Sequence, residues 1–124
     1  MSTYAERHVV TLTTDASGDV IGYTPVVTGP IRTIRYVKTD FTDGVDFTVT
    51  LEGTGESVWA ESNVNASATR APRQATHGID GTASLYAAAG EPVEDMIVAV
   101  RDRVKIVVAQ GGNAKTGFVH VVIG

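Results

Sequence analysis

The side chains equipped for chemistry are few and dispersed. Histidine occurs three times, at His8, His77 and His120. His8 and His120 lie in β-branched runs, and two paired strands would bring their imidazoles together. A zinc site would still need one or two further ligands and partners to orient the rings, so two ordinary strand histidines are the favoured reading. Asp40, Asp43 and Asp46 cluster around one turn. Such a loop suits Ca²⁺, but it lacks the alternating acids and closing glutamate of an EF-hand, and turn-forming aspartates fit better. Glu91, Glu94, Asp95 and Asp102 stand near Arg101 and Arg103. A glycosidase needs two carboxylates across a cleft, one with a raised pKa; acids flanking turns are the plainer reading here. No serine sits in Gly-x-Ser-x-Gly. Gly53-Thr54-Gly55-Glu56 lacks the lysine of a phosphate loop and precedes a strand rather than a helix. The expectation is no catalytic residue, no cofactor and no metal. Trp59 reads as core, with a sugar-stacking platform as the alternative if its ring is exposed.

The elements that would position these groups are strands. Arg7–Thr14 is the first, followed by turn chemistry at Asp15–Asp19. Val20–Thr28 is a second, interrupted by Gly22 and Pro25. Proline cannot donate to a ladder, so this strand is expected at an edge or bulged. Gly29-Pro30 is read as a turn and Ile31–Lys38 as a third strand. The cleanest alternation follows: Val45, Phe47, Val49 and Leu51 on one face, Asp46, Thr48, Thr50 and Glu52 on the other, the mark of a half-buried strand. Glu56–Ser62 carries Trp59. Asp95–Val100, Arg103–Ala109 and Phe118–Ile123 complete the set. The last two flank Gly/Asn turn residues and predict a hairpin. The chain ends inside that final apolar strand, which must be covered by the fold or by another chain.

Asn63–Pro92 lacks any period. Ala83–Ala89 within it could form one helical turn or a short strand. A stretch of this length inside a compact domain is often functional or ordered by a partner. Asn63, Asn65, Arg70, Arg73, His77 and Tyr86 are therefore the candidate interface residues.

Valine, threonine and 13 glycines give a β composition in a chain of one-domain length, 124 residues. Cysteine is absent, which removes disulfides and thiolate-bound metals. The net charge is −4 and the ten Lys and Arg are scattered, so nucleic acid is not an expected partner. The opening residues do not read as a signal peptide, and no apolar run approaches the ~20 residues of a membrane span. The fold expected is all-β: one domain over residues 1–124, an antiparallel sandwich, jelly roll or barrel of about eight short strands with residues 63–92 as a long irregular loop.

Several stretches carry a resemblance. Arg32–Phe41, Gly44–Thr50 and Trp59–Ser67, together with Ala71–His77 and Arg103–Gly112, resemble small virion proteins of tailed bacteriophages. The resemblance runs from about Pro30 to the end. It implies a β-rich, oligomeric, non-enzymatic protein of the virion, made in the host cytoplasm: a capsid decoration (cement) protein on the capsid surface, or a head-fibre or tail component. It implies two partners, the major capsid protein and the chain itself as a dimer or trimer. No residue roles transfer with it. A carbohydrate-binding or adhesin module is the expectation from another class.

Overall fold

The computed structural model describes residues 5–124. Eleven strands run in the order β1 (Glu6–Thr13), β2 (Val20–Tyr23), β3 (Val27–Val37), β4 (Asp46–Leu51), β5 (Ser57–Glu61), β6 (Ala68–Arg70), β7 (Arg73–Ala75), β8 (Glu94–Met96), β9 (Val98–Asp102), β10 (Val104–Ala109) and β11 (Thr116–Ile123). The protein is all-β, as its composition implies.

Two antiparallel sheets face each other. One runs β1-β11-β3-β6, with β9 also on β3; the other runs β2-β10-β4-β5. Successive strands mostly cross from one sheet to the other, and β4–β5 is the pair of neighbours in the sandwich that stays in one sheet. This is the wiring of a jelly roll. The expected hairpin of the last two runs is therefore not formed. β10 pairs with β2 and β4, while β11 pairs with β1 and β3 in the opposite sheet. Alternation says which side of each run is buried, and both runs do bury one side against the same core. It does not say which sheet a run joins. The glycine-rich link between them crosses the end of the sandwich, where Gly111 N donates to Gly18 O and Thr42 N donates to Gly111 O.

The final strand lies inside its sheet, with β1 on one side and β3 on the other. The second predicted strand divides: β2 ends at Tyr23 and occupies a sheet edge, as Pro25 suggested. Gly29-Pro30 is not a turn. Both residues belong to β3, where the register against β9 shifts between Val27 and Gly29. Gly29 has φ 138° there, a value that a side chain disfavours. The predicted Asp95–Val100 strand likewise divides into β8 and β9.

The core is one cluster of buried apolar side chains from both sheets. Its centre is aromatic. Phe47 stacks on Trp59 at 5.1 Å between centroids and meets Tyr36 at 4.6 Å, with Phe41 beyond. Such pairs add about 0.5–1.5 kcal/mol each beyond the area they bury. Gly22 lets the sheets approach: a Cβ there would stand 2.5 Å from Leu12 Cδ2.

Candidate functional site

Two features stand out from this frame, and both arise from the stretch that has no period. The first is an arm. β3 takes β6 on the C-terminal half of its free edge (Ile34–Tyr36) and β9 on the N-terminal half (Val27–Pro30). The chain leaves the sandwich between these two short strands. β7 and β8 then pair with each other in a ribbon separate from both sheets, with Arg73 opposite Met96 and Ala75 opposite Glu94. Thr76 continues the ribbon through its N–H and hydroxyl, both donating to Val93 O at 2.8 Å. Beyond Thr76 the arm forks. One branch turns back at the His77–Ala83 bridge, the other at the Leu85–Pro92 bridge.

Nothing between Arg73 and Met96 is buried. Ile79 is fully exposed, Tyr86 is 76 % exposed and Leu85 is 41 % exposed. The arm also carries Asp80, Glu91, Glu94 and Asp95, with no Lys or Arg from Gln74 to Val100. An isolated two-stranded ribbon is marginal in water, and this one has no core of its own.

The second feature is an open depression of about 580 Å³ lined by Arg35, Glu61 and the run Asn63–Arg70. Its floor is tied down. Arg70 donates to Glu61 through Nε at 2.7 Å and Nη2 at 2.8 Å, and Trp59 Nε1 donates to the same carboxylate at 3.1 Å. These bonds, those from Arg70 first, hold the Glu61 carboxyl down at about 2. Arg35 donates to Thr69 Oγ1 at 3.0 Å. Asn63 adopts φ 56° and donates its N–H to Asp46, while Asn65 Oδ1 accepts from Gly44 N at 2.7 Å.

The six candidate interface residues therefore divide. Asn63, Asn65 and Arg70 line the depression. Arg73 sits at the root of the arm, donating to Pro72 O and Arg32 O. His77 and Tyr86 lie on the two branches, both exposed. Sequence reasoning passed over Ile79, Leu85 and Arg35. Ile79 and Leu85 carried a usable signal, being isolated apolar residues in a polar, turn-rich stretch. Arg35 carried none.

The other chemical candidates resolve into structural roles. β1 and β11 do pair, but His8 faces Val121 while His120 faces Val9. Alternation along the strands puts the two rings on opposite sides of the sheet, so they cannot share a ligand. His8 lies 3.3 Å from Glu6, and His120 Nδ1 lies 3.3 Å from Arg7 Nη1. Asp40 accepts from Thr116 N, Asp43 from Lys38 and Asp46 from Asn63 N. Asp102 accepts from Gly53 N and Arg103 N, and Arg103 forks onto Glu52. No group of three or more His, Asp or Glu that could hold a metal occurs among the described residues. Trp59, 8 % exposed, belongs to the core, so its ring is not open for sugar stacking. No helix among the described residues is long and apolar enough to cross a membrane.

Comparisons with protein-family models, with curated proteins and with solved structures return no match.

Proposed function

We propose that the chain is a non-enzymatic structural protein of a phage virion: a capsid decoration protein that binds the major capsid lattice and stabilises the head. The observation that carries this reading is the arm. A jelly roll with a full core has no need of a forked extension in which no residue is buried. Exposed Ile79, Leu85 and Tyr86 at its end serve a surface that covers them. Jelly rolls occur in viral capsid and lectin domains, an analogy of fold that supports the reading without assigning a function. On a lattice the ordering cost of each arm is offset by many symmetric attachments.

A head-fibre or tail role uses the same arm on a different partner. The glycan-binding reading has lost its platform at Trp59. The test compares capsids of the encoding phage with and without the protein. Decorated heads should survive a higher temperature, and added protein should restore that resistance to bare heads. Bare heads that neither bind the protein nor gain resistance would overturn the proposal.

A further inference from the structure

The arm has a complementary surface on its own chain. The outer side of the five-stranded sheet is set by register across three strands. Its rows are Thr11–Phe118–Val37, Val9–His120–Arg35 and Arg7–Val122–Thr33. Val9 is 51 % exposed, and Val37, Phe118 and Val122 are partly exposed. The side chains among them are Arg7, Arg35, His120 and threonines. No carboxylate projects from these rows. Glu6, the one acid on β1, β3, β6 and β11, lies on the alternate side of β1, beside His8.

The face is thus apolar and cationic, whereas the arm is apolar and acidic: Ile79, Leu85 and Tyr86 with Asp80, Glu91, Glu94 and Asp95. The outer side of the four-stranded sheet is a poorer match. It carries Ile21, Val107 and Thr48 in one row. Of its cations, Lys105 stands between Tyr23 and Thr50, but Arg103 is already neutralised by Glu52, and Asp46 adds a carboxylate. Residues 73–96 also match in size one side of a standard interface, ~20–30 residues.

We infer that the arm of one copy docks on the outer face of the five-stranded sheet of a second copy. The two contact surfaces differ, so the contact is head-to-tail, and repetition gives a ring where the rotation closes. Opposite charge selects the partner face and adds a salt-sensitive attraction to the apolar burial, and the contact needs both. The inference rests on reading the arm as a contact element. Its test uses the isolated protein, so failure here is distinct from failure of capsid attachment.

The test is molar mass by light scattering and sedimentation velocity over a concentration series. The wild type should be oligomeric at low salt and dissociate towards monomer as salt screens the charges. Glu91→Lys with Glu94→Lys should abolish association, as should Arg7→Glu with Arg35→Glu. The arm pair lies where nothing is buried, so it leaves the sandwich folded. If the face pair fails to fold by circular dichroism, Arg7→Glu alone takes its place. An equimolar mixture of the arm and face variants should regain the oligomer, because each arm then meets a face of opposite charge. A wild type that stays monomeric to about 1 mM, an arm variant that associates like the wild type, or a mixture that stays monomeric would each overturn the inference.

Discussion

Glu61 and Arg70 face each other as a parallel two-bond pair that ties an edge strand of one sheet to an edge strand of the other. Trp59 from the core donates to the same carboxylate. With its pKa lowered from 4.5 to about 2, Glu61 contributes stability that is fully present above about 4.5 and is lost as pH falls towards 2. The two side chains are 35 % and 42 % exposed, so solvent screens the pair and it stabilises the fold only weakly. Urea titrations at about pH 6 and about pH 2 should show a larger loss for the wild type than for Glu61→Gln. Equal losses would mean that the pair adds nothing.

Tyr36 gives the opposite limb of the pH profile. Its ring is fully buried and its hydroxyl finds no partner among the described residues. Burial, then Asp40 and Asp43, push its pKa from 10.0 up to about 12. The folded state keeps the proton where the unfolded chain releases it. Stability is therefore intact below pH 10 and falls as pH rises from 10 towards 12. Tyr36→Phe should flatten that fall and be neutral to stabilising near neutral pH, since it removes a buried polar group that lacks a partner. Denaturant midpoints across the alkaline range, with phenolate absorbance of the folded wild type, check both limbs.

Gly117 leaves room for a neighbour. A Cβ there would stand 2.6 Å from Phe41 Cε2, and Phe41 is itself buried. Gly117→Ala should destabilise the protein by about 1–3 kcal/mol through overpacking. An unchanged urea midpoint would show that the end of the sandwich gives way more easily than this contact implies.

The arm should be separable from the sandwich. Arg73 and Met96 face each other across the ribbon, so a short turn can join them in place of residues 74–95. Because no buried side chain is lost, the shortened protein should melt within a few degrees of the parent, a shift that corresponds to less than about 1 kcal/mol. Loss of cooperative unfolding would instead make the arm part of the fold.

Much of the fold was legible because one face of each long strand is dry. The Val45, Phe47, Val49, Leu51 alternation is buried as read, from 0 to 2 % exposed, and Pro25 correctly marked an edge. Pairing was not legible. In a jelly roll the partners of a strand are distant in the chain, and the turn residues of a crossing between sheets look the same as those of a hairpin. Gly29-Pro30 was misread for a related reason, since a bulge uses the same residues as a turn. The absence of period over 63–92 did mark the surface features. It did not show that β6 returns to β3 before the arm departs, because three residues are too few to carry a pattern.

The central place of β11 also governs how the protein can assemble itself. Glu6 pairs with Ile123, so closing the five-stranded sheet brings together positions separated by nearly the whole described chain. Among neighbouring sandwich strands, only β4 and β5 close locally, around Phe47 and Trp59. Every other ladder of the sandwich must wait for a distant partner, the situation in which folding slows to milliseconds or seconds. Until β11 arrives, β1 and β3 hold unfilled backbone edges, and the interval in which the chain is most open to mispairing is the interval before its last strand docks.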